Sequence, residues 1–235
     1  MDRLVYRIFA ASGIAYVALA ILGNDILGGS AQAPDPGAPR AAIAKWLAVQ
    51  GAPTLKDWAS LYSECLGLLF LLVFAATLAA AVRRVEGGGG PVAMTVLAAG
   101  AVSAAIKLVS IPIALAAFYR APEGIDTQLG AALIDINNFC FILTWAVDGV
   151  MLAALATGGF CFKALPTWLA WFTAVVAIAL LAAPALINGP GFLAMLLFLV
   201  WAVVTSVTLV IRPAGHVVAA AAPSGAAART PDAIA

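Results

Sequence analysis

Four ionisable side chains stand inside long apolar runs, and any chemistry in this chain has to begin with them. Lys107 sits in LAAGAVSAAIKLVSIPIALAAF (97–118), Glu64 in SECLGLLFLL (63–72), and Asp135 and Asp148 in LIDINNFCFILTWAVDG (133–149). A charge at the centre of a bilayer costs about 2.5–3.5 kcal/mol on insertion scales, so such residues turn toward a bundle interior and find partners. An ammonium and several carboxylates in one apolar interior support three kinds of chemistry. They can pair to hold helices in register, bind a charged or amphiphilic molecule, or move protons.

Helical spacing gives each charge its company. Gly100, Ser103, Lys107 and Ser110 share one face, small and hydroxylated as a close contact in lipid requires. Pro112 leaves the Leu108 carbonyl without its helical donor, a further acceptor near the ammonium. Asp57, Ser60, Glu64 and Gly67 align in the same way. The segment after residue 127 carries two polar stripes: Asp135, Asn138 and Trp145 on one side, Asn137, Thr144 and Asp148 on the other. A helix polar over so much of its girth belongs at the centre of a bundle. At about 1.5 Å per residue, Glu64 lies ~10 Å, Asp135 ~14 Å and Lys107 ~20 Å below one end, with Asp148 deeper. A lysine stem climbing toward that end meets Glu64, the expected partner, or Asp135 as the alternative. The candidate polar cluster is Lys107, Glu64, Asp135, Asn138, Asp148 and Asn137.

Much else is excluded. The chain has 235 residues, of which 64% are apolar and 10% charged, with a net charge of +1. A soluble domain carries about 25% charged residues, so a lipid bilayer is the expected surroundings, and the near-zero charge argues against nucleic acid. Cys65, Cys140 and Cys161 lie in or beside apolar runs without CxxC spacing and read as small core hydrophobes. The lone histidine, His216, lies beyond the last apolar run, so no metal site is expected. EGGGGP (86–91) lacks the Lys-Ser/Thr of a phosphate loop. No cofactor is expected; a retinal-type Schiff base at Lys107 is disfavoured by six spans with the lysine on the third.

The elements that must position these residues are six spans of about 20 or more apolar residues: 5–28, 58–82, 91–119, 127–157, 165–187 and 190–211. They predict an all-α, polytopic membrane bundle forming one domain over 1–212, followed by a disordered cytoplasmic tail over 213–235. RRVEGGGGP (83–91), RAPEGIDT (120–127) and NGP (188–190) are turns, and Pro166 opens a helix. Arg3, Arg7, Arg83, Arg84, Lys163, Arg212 and Arg229 on one side outweigh Arg40, Lys45, Lys56 and Arg120 on the other, which favours both termini inside. Between the first two spans, APRAAIAKWLAVQGAP (38–53) places Ile43, Trp46 and Leu47 on one face and Arg40 on another. A short extracytoplasmic helix lying in the interface is expected there, an ordinary loop being the alternative. Asn24 and Asp25 read as interface residues, and Trp168, Trp171 and Tyr119 as aromatic-belt residues. SAQAP (30–34) resembles a signal-peptide cleavage site; cleavage there would leave five spans, but the preceding run is long for a leader.

The layout resembles a family of uncharacterised six-helix bacterial membrane proteins, a domain of unknown function. The resemblance covers most of 5–210 and rests on SECLGLLFLL, AAIKLVS (104–110), LIDINNFCFILTW (133–145) and KALPTWLAW (163–171). The chain departs from that pattern in having no histidine in the fourth span, and Lys107 where an arginine with a nearby glutamate is expected. The resemblance implies topology and a multi-pass place in the bacterial inner membrane, with no assigned activity.

Function is therefore expected to be binding or transport of a small amphiphilic or charged molecule, a lipid among the candidates, at the polar cluster, with Lys107 pairing an anionic group. A transporter of this size is expected to form a homo-oligomer. Two alternatives stand beside it. One is an intramembrane acid–base enzyme on a lipid or isoprenoid, using Glu64 and Asp135; the other is an accessory subunit whose charges only pack helices.

Overall fold

The structure is a computed structural model that describes residues 3–27, 34, 37–50, 52–87, 90–186 and 190–211. The expected tail, His216, Arg212, Arg229 and most of the SAQAP segment lie outside the described residues. All regular structure among them is helical: α1 (Arg3–Ala10), α2 (Ser12–Ile21), α3 (Arg40–Ala48), α4 (Leu55–Glu86), α5 (Pro91–Arg120), α6 (Thr127–Phe162), α7 (Thr167–Ala182) and α8 (Gly191–Ile211). Six stretches are long and apolar enough to cross a membrane, the first built from α1 and α2 together and the others from α4 to α8. Counting α1 and α2 as one broken helix, the described residues form these six spans and the short α3.

The helix ends follow from the residues that stand there. Thr54 and Asp57 form a reciprocal capping box at the start of α4, each accepting from the other's backbone N–H. Asp126 accepts from the N–H groups of Gln128 and Leu129 at the start of α6. At α5 the cap comes from outside the helix: the Glu86 carboxylate accepts from Val92 N at 2.9 Å and Ala93 N at 3.0 Å, beside Pro91. Nothing in the reading of RRVEGGGGP as a plain turn anticipated that role. A carboxylate a few residues before a proline-led helix is the signal that carried it.

The first span is irregular. The Ser12 hydroxyl donates to the Phe9 carbonyl at 2.6 Å, where α1 gives way to α2. Beyond α2 the helix widens into a π-turn over Leu22–Leu27. Gly23 sits there against α4, close enough that an added Cβ would be 3.0 Å from the Ser60 carbonyl. The Gly23 carbonyl accepts from Ser60 Oγ at 2.7 Å. The close approach explains the glycine.

The spans pack in chain order and close on themselves. The first span lies on α4 and α8, α4 on α5, α5 on α6, α6 on α7, and α7 on α8. Small residues set the spacing, as expected where lipid tails offer no hydrophobic drive for helix association. A Cβ at Gly100 would collide with Ala75 Cβ, and one at Gly13 with Ser206 Oγ. Inside, Leu71, Phe74, Leu78, Met151, Leu152, Leu155, Phe198 and Trp201 are buried. The Trp201 indole donates to Thr173 Oγ1 at 2.9 Å, linking α8 to α7 and satisfying the buried N–H.

The helix expected over 38–53 exists as α3, but its apolar face is used differently. Ile43, Trp46 and Leu47 are buried against Ala117, Phe118 and Ile134 at the ends of α5 and α6. Trp46 meets Phe118 edge to face with centroids 5.0 Å apart. The face that would have entered lipid closes one end of the bundle.

Candidate functional site

Lys107 turns inward, as its surroundings required, and is 1% exposed. Its partner is not the expected one. Nζ lies 2.6 Å from Asp148 Oδ2 and 3.0 Å from Ser103 Oγ. The expected Lys107–Glu64 pair does not form, and the reason is the direction of the stem. Cα–Cβ bonds tilt toward a helix N-terminus, and long side chains lie over the preceding turn. In α5 that direction runs toward Ser103 and away from the Glu64 level, so the ammonium descends to Asp148. Asp148 on the antiparallel α6 leans the opposite way and meets it. The Leu108 carbonyl freed by Pro112 lies on the wrong side of Lys107 for the same reason. Ser110 is occupied with the backbone, its hydroxyl donating to the Lys107 carbonyl at 2.8 Å.

The pair is buried and incompletely satisfied. Asp148 is fully buried, and its Oδ1 has no hydrogen-bond partner among the described residues. The Phe198 ring lies with its centroid 6.0 Å from Nζ, adding a cation–π contact. The two charges cancel, so neither is available to a ligand without separating the other.

Asp135 and Asn138, expected with Lys107, do other work. Asp135 Oδ1 accepts from Gly37 N at 3.3 Å, and Asn138 Nδ2 donates to the Pro34 carbonyl at 3.4 Å. This side of α6 holds the connection between the first two spans against the bundle. Asp135 is thereby removed from any shared site with Lys107.

Glu64, freed of the pairing, lines a cavity of about 690 Å³. The walls come from the π-turn (Asn24), the start of α4 (Asp57, Trp58, Ser60, Glu64), the second half of α5 (Ile111 to Phe118), the first half of α6 (Asn137 to Trp145) and Phe192 of α8. Glu64 has no hydrogen bond or ion pair among the described residues. Asn137 lies on the facing helix, and Asn138 also reaches the wall. Ile111 and Trp145 stand one turn from Lys107 and Asp148, so the cavity ends just short of the ion pair. Beyond the pair the interior is filled by the packed side chains of α4, α6 and α8.

The polar cluster inferred from spacing thus divides in three: Lys107–Asp148 as a sealed pair, Asp135 and Asn138 as loop ties, and Glu64, Asn137 and part of Asn138 on the cavity wall. The aromatic side chains of the cavity (Trp58, Phe118, Phe141, Trp145 and Phe192) share no sequence signal as a group, because they come from four helices with no common period. No cluster of His, Cys, Asp and Glu able to hold a metal occurs among the described residues.

Comparison of the chain with known protein families, curated proteins and solved structures finds no match. The family resemblance therefore rests on its loose motifs alone.

Proposed function

We propose that the chain is a multi-pass protein of the inner membrane, both termini inside, that binds a small amphiphilic molecule in the Glu64 cavity and carries it in a transport cycle. The observation behind this reading is the cavity itself. Its volume of about 690 Å³ falls in the range of about 300–1,000 Å³ typical of small-molecule sites. Its walls are mostly apolar with a few convergent polar groups, and one of those groups, Glu64, has no partner of its own. The site differs from the one expected around Lys107, whose ammonium is committed to Asp148. The acid–base alternative draws less support, because Asp135 is tied to Gly37 rather than facing Glu64.

The reading is tested by melting the purified chain in nanodiscs against long-chain amines, fatty acids and neutral lipids. Stabilisation by at least one class, lost in Ala114→Trp, is the expected result; Ala114 lies on the cavity wall, so the indole occupies the space. A melting temperature unmoved by every class refutes it. Orientation is tested by cysteine labelling: Lys56→Cys should react from outside intact cells and Lys163→Cys only after permeabilisation.

A further inference from the structure

We propose that the ligand of this cavity is an organic cation: an apolar body carrying one quaternary or delocalised positive charge, held by the Glu64 carboxylate. The inference rests on the cavity being a ligand site and adds the sign of the ligand's charge.

The first support is the charge inventory. Glu64 and Asp57 are both on the wall and no lysine or arginine is, though Asp57 stands at the exposed start of α4 beside Lys56, which leaves Glu64 as the charge that counts. The nearest cation beneath, Lys107, is neutralised at 2.6 Å by Asp148. Arg120, on the α5 end above, is held at 2.6 Å by Glu123. An anion entering this space meets the Glu64 carboxylate, which has no counter-charge among the described residues, and a cation meets its complement.

The second support is what each carboxylate already does. Asp57 accepts from Thr54 N and Thr54 Oγ1, both at 2.7 Å, so its lone pairs are used in the helix cap. Asp148 has Lys107 and Asp135 has Gly37. Among the described residues, Glu64 alone of the carboxylates of the bundle interior has neither a donor nor a cation. A half-buried carboxylate kept charged without a partner is costly, so it takes up a proton or is relieved by a counter-charge, and a bound cation supplies the latter.

The third support is the size and lining of the space. A bare metal ion needs several oxygen ligands converging at short range, and no such cluster occurs among the described residues. A large soft cation instead suits Trp58, Phe118, Phe141 and Trp145, whose π-faces attract positive charge and whose rings bury apolar substituents.

The test uses the full chain in neutral detergent with three probes of similar bulk: tetraphenylphosphonium, tetraphenylborate and triphenylphosphine oxide. Trp58 and Trp145 report occupancy through their fluorescence, and thermal melting gives an independent readout. Tetraphenylphosphonium should bind at least tenfold more tightly than the other two. Glu64→Gln should weaken it at least tenfold, about 1.4 kcal/mol, and Glu64→Asp should recover part of the loss. Asn137→Lys, which places an ammonium on the facing wall, should also weaken it at least tenfold and keeps the test open should Glu64→Gln fail to fold. Tetraphenylborate or the neutral oxide binding as tightly as the phosphonium, with loss only in Ala114→Trp, overturns the cation assignment and leaves the cavity as a site. No binding of any probe to the unmodified chain overturns both. Phosphonium binding indifferent to Glu64→Gln and to Asn137→Lys overturns the role given to Glu64.

Discussion

Removing one member of the Lys107–Asp148 pair should damage the fold far more than removing both. Lys107→Met keeps most of the stem and deletes the ammonium, leaving the Asp148 carboxylate fully buried with one oxygen already without a partner. Two unit charges about 4 Å apart attract by about 4 kcal/mol at an effective dielectric near 20. That attraction offsets a desolvation cost of several kcal/mol per ion, so the intact pair is near break-even while a broken pair costs about 3–5 kcal/mol. Lys107→Met and Asp148→Leu should therefore each lower the melting temperature in detergent by on the order of 10 °C, taking about 2–4 °C per kcal/mol for a chain of this size. The double variant should recover most of that loss, a coupling of about 5 kcal/mol or more against the sum of the two singles. Lys107→Met combined with Glu64→Gln should show no such recovery, because Glu64 is not the partner. Melting followed by size-exclusion fluorescence gives all five values in one series. A single Lys107→Met chain as stable as the parent refutes the reasoning, as does a double variant no better than the sum of its singles. Recovery with Glu64→Gln instead places the ammonium at the cavity.

Other perturbations reach the scaffold. Gly100→Val drives side-chain atoms into Ala75 and the Met151 sulfur and should cost about 1–3 kcal/mol or prevent folding, whereas Ala105→Val, on the exposed face of α5, should melt within a degree or two of the parent. Trp201→Phe removes the indole donor to Thr173 and should cost about 1–3 kcal/mol, read as a lower melting temperature with unchanged helical circular dichroism. Trp46→Ala strips the main anchor of α3 from Phe118 and its neighbours. Trypsin should then cut at the exposed Lys45 several-fold faster, while the melting of the spans changes little.

The spans were legible in the sequence because lipid imposes one simple rule: a helix long enough to cross must be apolar along its length. Composition and turn residues therefore place α4 to α8 within a few residues, and the small, hydroxylated face of α5 follows from a period of 3.6. Lys107 turning inward was legible for the same reason, since its exposure to lipid would be prohibitive. The identity of its partner was not. Ammonium-to-carboxylate matching spans two chains of covalent geometry, and which carboxylate wins depends on the tilt of each Cα–Cβ bond and the stagger of antiparallel helices. Depth counted from the helix ends ran the lysine stem the wrong way and chose Glu64 over Asp148. The ties of Asp135 to Gly37 and of Asn138 to Pro34 were not legible, because spacing along one helix says nothing about a loop from elsewhere folding onto it. The cavity was invisible for a deeper reason: empty space belongs to no residue, and arises only where the π-turn, α4, α5, α6 and α8 fail to meet. The sequence determined that charges would be buried among helices; the packing of those helices decided which charges cancel and which one is left on the wall of the cavity.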